Sequence, residues 1–326
     1  MHCCYGKFLI RIVQLYFYIW GHQDKPMRYA VALDIGGTKI EAVLFNEKYR
    51  QIRKNRYYFA KTKTQRIVRI ERGELLKLIC NAIDFAKQGY SIEGIGIGLP
   101  DIVTLDGAIK GPTRLIALSD FPLAKYLKKR YGCRVEIAND ADCFVLAEQS
   151  LGAAKGHKNV FGLIYGTGIG GGLVIDGKLH RPRESAGELG HNVVDPSGPR
   201  ERLGIKGTVE SFAGGPELIK QYYRFGGKMK DADPASISRS REPAARKALS
   251  ISMEHLAMGI GHVMNLINPS VIVVGGGQSN MDIYGRLTKL TRKYVHPGLR
   301  ENIRIVKNRL GDSAGVYGAA ALVLER

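Results

Sequence analysis

Two stretches of this chain share one layout: an apolar run, a glycine-rich turn and a second apolar run. The first is VALDIGGTKIEAVLF at residues 31–45, and the second is VFGLIYGTGIGGGLVIDGKL at residues 160–179. Apolar runs on both sides of glycine are typical of two β-strands joined by a turn, so each stretch alone predicts a hairpin. Because the layout recurs, the sequence predicts two related domains that face one another.

Strands and helices alternate from Arg28 onward, which is typical of an α/β architecture. A length of 326 residues fits two domains of roughly 150 residues each. Strands are predicted at 29–35, 40–46 and 52–60, and helices at 73–87, 121–131, 208–224 and 243–267. A final helix is predicted over SAGVYGAAALVLE at the end of the chain.

The chain is strongly basic, with a net charge of +19 and a pI of about 9.7. Its densest basic stretch is residues 48–72, where basic and aromatic side chains interleave. This pattern fits nucleic-acid binding, but a solvated strand with two faces produces it equally well, and we favour that interpretation. A basic surface also attracts small anionic substrates such as nucleotides.

The cysteines and the first residues indicate a cytoplasmic protein without a membrane partner. None of the five Cys residues lies in a CxxC motif, so neither a zinc site nor a disulfide framework is indicated. The apolar run at residues 8–20 is interrupted by Arg11 and is too short to span a bilayer. Because MRYAVALDIGG would make a natural start at Met27, we expect residues 1–26 to lie outside the fold.

Three glycine clusters follow apolar strands: DIGGTK at 34–39, GTGIGGG at 166–172 and GGG at 275–277. Any one cluster is explained by an ordinary turn. Glycine also lets backbone N–H groups approach phosphate oxygens closely, and three clusters in one chain favour phosphate binding. Thr38 and Thr167 add hydroxyl donors and Lys39 adds a positive charge, whereas no Walker motif occurs.

Two further motifs carry polar side chains suited to chemistry on an alcohol. Asn139, Asp140 and Asp142 follow a predicted strand in IANDADCF; each could be a helix N-cap, but a carboxylate there could also accept the proton of an attacking hydroxyl. AGELGHNVVD places Glu188 and His191 together. They fit a surface ion pair, or a pair that binds neighbouring sugar hydroxyls.

The chain resembles the sugar kinases of the ROK family (repressors, open reading frames, kinases), within the actin-like ATPase superfamily, from about Arg28 to its C-terminus. The resemblance rests on eight motifs in this order: DIGGTK, GIGLP, NDAD, GTGIGGG, GELGH, VESFAGG, VVGGG and GDSAGVYGAA. It implies a two-domain, ribonuclease H-like α/β fold with ATP and sugar in the cleft between the domains. The domains would be residues 27–138 plus 312–326, and residues 139–311.

The resemblance also implies roles for individual residues. Asp140 matches the family's catalytic base, and Asp34 would face Mg²⁺ through water. The sugar ligands would be Asn139, Asp140, Glu188, His191, Glu210 and Gly98. The nucleotide would be held by Asp34, Gly36, Gly37, Thr38, Lys39, Gly166, Thr167, Gly168, Gly170, Gly171, Gly275, Gly276 and Gly277.

The chain departs from the family where a structural zinc site, CxCGxxGC, usually follows the GELGH motif. Here the sequence reads ERLGIKGT, with Glu201, Leu203 and Thr208 at the three Cys positions. Thiolates make such a site tight, so we expect no structural zinc, and His191 would serve the sugar alone. Asp101 also stands where the family often has Gly.

We therefore expect an ATP-dependent hexose kinase that acts on carbon 6, with Mg²⁺ as cofactor, glucose as the favoured sugar and no nucleic-acid partner. N-acetylmannosamine or another N-acylhexosamine remains an alternative substrate. A sugar-responsive transcriptional regulator is a further alternative, disfavoured because the 26 residues before Met27 are too few for a helix-turn-helix. A homodimer is expected from the resemblance only.

Overall fold

The computed structural model describes residues 27–37, 39–58, 70–100, 102–110 and 115–325. Its first half is built on a five-stranded sheet in the order β3-β2-β1-β4-β7. The strands are β1 (Tyr29–Ile35), β2 (Lys39–Asn46), β3 (Gln51–Tyr58), β4 (Gly94–Leu99) and β7 (Arg134–Asn139). β2 is antiparallel to β1 and β3, whereas β1, β4 and β7 are parallel. The small hairpin of β5 (Ile102–Val103) and β6 (Ile109–Lys110) lies between β4 and β7 in the chain.

A second five-stranded sheet repeats this arrangement in the order β10-β9-β8-β11-β12. Its strands are β8 (Val160–Tyr165), β9 (Ile169–Ile175), β10 (Lys178–Leu179), β11 (Val271–Gly275) and β12 (Ile305–Lys307). As in the first sheet, two antiparallel pairings are followed by two parallel ones. The internal repeat predicted from the two glycine hairpins is confirmed, because each hairpin opens a sheet of the same topology.

Nine α-helices occur among the described residues. They are α1 (Arg72–Lys87), α2 (Leu123–Tyr131), α3 (Asp140–Ser150), α4 (Val209–Ala213), α5 (Gly215–Arg224), α6 (Pro234–Arg239), α7 (Pro243–Leu266), α8 (Tyr284–Thr291) and α9 (Ala314–Leu324). The single helix predicted at 208–224 is wrong. It is two helices, since Gly214 has extended backbone (φ −55°, ψ 147°) and Pro216 restarts the chain in the first turn of α5.

Helices α3 and α9 pack between the two sheets, and glycine lies at each contact in this stack. A Cβ on Gly96 of β4 would come within 1.7 Å of the Ala319 carbonyl oxygen in α9. One on Gly318 of α9 would come within 1.8 Å of the Cys143 oxygen in α3, and one on Gly172 of β9 within 2.4 Å of the Ala141 oxygen. These distances leave no room for a side chain at Gly96, Gly172 or Gly318. Glycine at these three positions therefore serves close packing rather than ligand binding.

The segment that leads to Glu188 contacts the first half of the chain. The Arg181 guanidinium donates to the Ile137 carbonyl in β7 at 2.9 Å. The Val103 amide in turn donates to the Ser185 hydroxyl at 3.1 Å. The loop before Glu188 is thereby attached to the first sheet. In the described part of the chain, no helix is long and apolar enough to cross a membrane.

The predicted basic stretch, residues 48–72, includes β3, which forms one edge of the first sheet. Its side chains alternate between half-buried and exposed along Gln51–Tyr58. Lys54 and Arg56 pair with the buried Glu41 carboxylate of β2 at 2.5 and 2.8 Å. This alternation matches the solvated strand that we favoured; residues 59–69 lie outside the described residues.

Candidate active site

The predicted catalytic region lies at the carboxyl ends of the parallel strands β1, β4 and β7. Asp34 is paired with Gly98 of β4, and Leu99 of β4 is paired with Asn139 of β7. Because neighbouring strands are about 4.8 Å apart, Asp34 and Asn139 stand roughly 10 Å from each other on one sheet edge. The strand ends therefore bring the first glycine hairpin and the NDAD motif to the same side of the molecule.

Helix α3 begins at the candidate base. Asn139 is its N-cap, and the Asn139 side-chain oxygen accepts the Asp142 amide at 2.5 Å. The cap interpretation is thus confirmed for Asn139. Asp140 follows as the first residue of α3 and is exposed. The positive end of the helix dipole favours its ionised form.

A polar cavity of about 270 Å³ lies beside Asp140. Eight of the predicted residues line it: Asn139, Asp140, Thr167, Gly168, Gly170, Glu188, His191 and Glu210. Three carboxylates and an imidazole around so small a space provide many hydrogen-bond acceptors and few apolar surfaces. The cavity is therefore suited to a compact ligand that carries several hydroxyl groups.

Glu188 precedes a single turn of 3₁₀ helix, Leu189–His191, and His191 is the last residue of that turn. The His191 Nε2 atom is 3.9 Å from the Glu188 carboxylate. This distance is too long for a direct hydrogen bond. Both groups border the cavity, so they can contact neighbouring hydroxyls of one ligand.

Glu210 joins the cavity to the second glycine loop. Its Oε2 atom accepts the Ile169 amide at 2.8 Å. A Cβ on Gly168 would lie only 2.7 Å from the same oxygen. Glycine at this position therefore allows the Glu210 carboxylate to hold the turn between β8 and β9.

A second cavity, of about 490 Å³, adjoins the first. It is lined by Gly166, Thr167, Gly215, Pro216, Ile219, Asp233, Pro234, Ala235, Gly277 and Gln278. Thr167 borders both cavities. The start of α5 lines the second cavity through Gly215 and Pro216, and the positive end of a helix dipole favours anions.

The other predicted nucleotide residues that the structure describes border neither cavity. Gly36, Gly37 and Lys39 belong to the β1–β2 turn, and Thr38 lies outside the described residues. Packing accounts for Gly98, Gly171, Gly275 and Gly276, because a Cβ on any of them would lie 2.2–3.2 Å from a neighbouring atom. GGG at 275–277 leads into a short 3₁₀ turn, Gly277–Asn280.

Asp34 is a partly buried carboxylate at the end of β1. Burial raises its pKa above the ordinary value, while the nearby Lys39 charge lowers it. A Cβ on Gly315, in the first turn of α9, would lie 3.1 Å from the Asp34 carboxylate. Glycine there leaves the carboxylate uncovered by a neighbouring side chain.

Asp142 is fully buried two residues after Asp140, with Arg181 Nε 3.7 Å away. Neither carboxylate oxygen has a hydrogen-bond partner among the described residues. Burial raises the Asp142 pKa to about 7, although the Arg181 charge opposes this shift. The carboxyl group is therefore protonated in the folded chain at mildly acidic pH.

We expect Asp142→Asn to stabilise the protein more at pH 8 than at pH 5. Between roughly pH 4 and 7 the folded chain keeps a proton that the unfolded chain loses, so stability falls as pH rises. Between pH 5 and pH 8 the free energy of unfolding of the wild-type protein falls by an amount on the order of 3 kcal/mol, and the neutral amide removes this dependence. Thermal melts at both pH values measure the effect. An equal change in Tm at pH 5 and pH 8 would contradict the buried-carboxyl explanation; Asp176→Asn, in an exposed turn, is the control.

Comparison with known proteins places these features in a family. The ROK family model matches residues 30–326. The chain belongs to the ROK family. A glucokinase from Thermotoga maritima is 29% identical over 92% of this chain and 99% of its own length. An N-acetyl-D-glucosamine kinase from Vibrio atlanticus is 35% identical over 89% and 97%.

A solved structure supports the same assignment for the fold. The ROK glucokinase from Streptomyces griseus, in complex with glucose and AMPPNP, matches with a TM-score of 0.71 and 26% identity, over 92% of this chain and all of that one. This ROK chain therefore has the actin-like ATPase fold predicted from its motifs. The family assignment is likewise confirmed.

This ROK chain lacks the family's cysteine motif, and hydrogen bonds organise the corresponding loop. Thr208 caps α4 by accepting the Ser211 amide at 3.2 Å. The buried Glu201 carboxylate accepts the amide of Leu203 at 2.9 Å. No cluster of three or more metal-ligating side chains occurs in the described ranges; the absence of zinc stays a prediction based on the missing thiolates.

Sequence interpretation missed several residues that line the two cavities. Pro100 and Arg202 border the first, but the stretch around Arg202 was considered only for its missing cysteines. Pro216 and Pro234 border the second. Proline in the first turn is a recognisable helix-start signal, and it could have located these two helix starts, although not their convergence on one cavity.

Proposed function

We propose that this protein is an ATP-dependent hexose kinase that phosphorylates the hydroxyl group on carbon 6. One observation carries the proposal: an acceptor-rich cavity containing Asp140 adjoins a larger cavity, and Thr167 borders both. The smaller cavity suits a sugar. The larger one suits a nucleotide whose terminal phosphate points toward the sugar.

Glucose is the favoured sugar, and an N-acylhexosamine is the second candidate. Asn139, Glu188, His191 and Glu210 provide donors and acceptors for several hydroxyls. The relative from Thermotoga is named for glucose and that from Vibrio for N-acetylglucosamine. The two sugars differ at carbon 2, so the volume available beside that carbon decides between them.

In the proposed reaction, Asp140 accepts the proton of the sugar hydroxyl as its oxygen attacks the γ-phosphorus atom of ATP. A carboxylate at a helix N-terminus is ionised at neutral pH, so it is ready to act as base. The bond from the γ-phosphorus atom to the bridging oxygen breaks, and ADP leaves. The glycine loop around Gly168 brings backbone donors near the transferred group.

Magnesium fits the chemistry of Asp34. Mg²⁺ is usually held by one or two carboxylates together with substrate phosphates and water. Asp34 supplies one partly buried carboxylate whose pKa is raised by burial, and a cation beside it would favour its charged form. When bound with ATP, Mg²⁺ would neutralise phosphate charge.

The proposal is tested by incubating the protein with ATP and a panel of glucose, N-acetylglucosamine, N-acetylmannosamine, mannose and fructose. ADP release is followed by a coupled assay, and the product is identified by ³¹P NMR. We expect a phosphate monoester on carbon 6 of glucose or of an N-acylhexosamine. No sugar-dependent ADP release with any of the five would overturn the proposal.

We expect Glu210→Ala to raise the KM for both substrates. The change removes a hydroxyl acceptor from the first cavity and releases the Ile169 amide of the glycine loop. Loss of about one hydrogen bond on each side predicts a rise of roughly fivefold or more in each KM. Glu217→Ala, at an ion pair with Lys220 on the exposed side of α5, is the control. An unchanged KM for ATP would contradict the role of Glu210 in holding the loop.

A further inference from the structure

Glu201 is a buried carboxylate outside the cavity. Its side chain is only 2% exposed. Its Oε2 atom accepts the Leu203 amide at 2.9 Å, and its Oε1 atom lies 3.4 Å from the Ile205 amide nitrogen. The same Oε1 atom is 3.8 Å from Nδ1 of His191. A charged group in so dry a place requires donors around it.

His191 has two different sides. Its Nδ1 atom is buried, faces Glu201 and has no hydrogen-bond partner among the described residues. Its Nε2 atom faces the Glu188 carboxylate, and both of these side chains line the smaller cavity. His191 therefore has one buried ring nitrogen, Nδ1, beside a buried carboxylate. Its other ring nitrogen, Nε2, lies on the side of the cavity.

We propose that Glu201 is a positioning residue that fixes the tautomer and orientation of His191. Glu201 accepts the Nδ1–H of His191, so Nε2 carries no proton and accepts a hydrogen bond from a sugar hydroxyl. Only a shift of roughly 1 Å separates the observed Nδ1 to Oε1 distance from a hydrogen bond of about 2.9 Å. The identity of the ligand as a sugar rests on the proposed function. The tautomer of His191 does not depend on that function.

The opposite tautomer is disfavoured on the buried side of the ring. It would direct the Nδ1 lone pair at the Glu201 carboxylate in a buried place, where two acceptors repel each other. It would also make Nε2 a donor rather than an acceptor toward the cavity. With Glu201 as acceptor, Nε2 can accept a hydrogen bond from a ligand hydroxyl.

The tautomer is measured by ¹⁵N NMR on the sugar-free protein labelled at histidine, at pH 8. The sequence has eight His residues, and loss of one signal set in His191→Gln assigns the relevant one. We expect wild-type Nδ1 to be protonated and Nε2 bare. Glu201→Gln supplies an NH₂ donor to Nδ1 and should exchange the two signals. A wild-type His191 with Nε2–H would overturn the proposal.

Kinetics provide the second readout. We expect Glu201→Gln to raise the KM for the sugar about tenfold, with kcat and the KM for ATP changed less than about threefold, as for a lost ground-state contact. Leu203→Ala disturbs the same loop without removing the carboxylate and should leave the KM for the sugar nearly unchanged. In a His191→Gln background, Glu201→Gln should add nothing. Fully additive effects would contradict the proposal.

Failure of the proposed function is distinguishable from failure of this inference. If the wild-type protein phosphorylates none of the sugars, the kinase proposal is wrong. The NMR experiment needs no substrate, so it still decides whether Glu201 sets the tautomer of His191.

Discussion

Asp140→Asn is expected to lower kcat for sugar phosphorylation by about 10²–10⁴-fold, the usual contribution of a general base. An amide has the size of the carboxylate but cannot take a proton from the attacking hydroxyl. Asn is also tolerated in the first turn of a helix, so α3 should begin as before. The KM for the sugar should change only a few-fold, because the amide oxygen can still accept a hydrogen bond. Steady-state assays with ATP and the preferred sugar measure both parameters.

Asp176→Asn is the matched control for this prediction, since Asp176 lies in the turn between β9 and β10 with a φ of 51°. Asn also tolerates that conformation, so the control should keep full activity. Turnover by Asp140→Asn equal to that of the wild-type protein would contradict the role of Asp140 as base.

Gly318→Ala is expected to lower the thermal midpoint by about 10 °C or more, or to prevent folding. The added Cβ would lie 1.8 Å from the Cys143 carbonyl oxygen. The Cys143 carbonyl belongs to the backbone of α3, which cannot move aside as a side chain can. The two helices α3 and α9 must therefore separate. Overpacking of this kind costs about 3 kcal/mol or more, and 1 kcal/mol corresponds to roughly 2–4 °C in a domain of this size. Because α3 begins at Asp140, any folded fraction should also lose activity.

Gly285→Ala is the control, because Gly285 in α8 has open space where its Cβ would lie. Alanine is a better helix former than glycine by about 1 kcal/mol, so this variant should be as stable as the wild type or more so. Similar melting temperatures for the two alanine variants would show that α3 and α9 do not pack through Gly318. Calorimetry or a dye-based thermal melt gives both values.

The sequence predicted the architecture well where the pattern was local and repeated. The hairpin at DIGGTK and the one at GTGIGGG are both present, and each opens a sheet of the same topology. Alternation of apolar and glycine residues is enough to predict such a hairpin. The predicted helix over 208–224 was wrong because Gly214 interrupts it, and a single glycine is often tolerated inside a helix.

The role of individual glycines could not be read from the sequence. Gly171 and Gly275 were predicted to bind the nucleotide, and that stays a prediction; in the fold, a Cβ on Gly171 would meet Gly187 and one on Gly275 would meet Phe144. Gly96 and Gly318 lay in the GIGLP and GDSAGVYGAA motifs without an assigned role, although Gly96 permits the close contact of β4 with α9 and Gly318 that of α9 with α3. Packing between distant segments decides these cases. A sequence shows that glycine is needed but not which neighbour requires it.

The candidate site was more predictable than its supporting residues. NDAD, GELGH and VESFAGG named most of the polar side chains around the smaller cavity. Glu201 was noted only as a replacement for cysteine, because its proximity to His191 depends on how the loop folds back. Residues that position a functional side chain are therefore hard to identify from short sequence motifs.

The central claim is that sugar and nucleotide occupy adjoining cavities that meet at Thr167. A crystal structure with the preferred sugar and a non-hydrolysable ATP analogue tests it most directly. We predict the sugar hydroxyl within hydrogen-bond distance of Asp140, and the γ-phosphate beside the loop of Thr167 and Gly168. A sugar bound away from Asp140, or a nucleotide bound outside the larger cavity, would contradict the account.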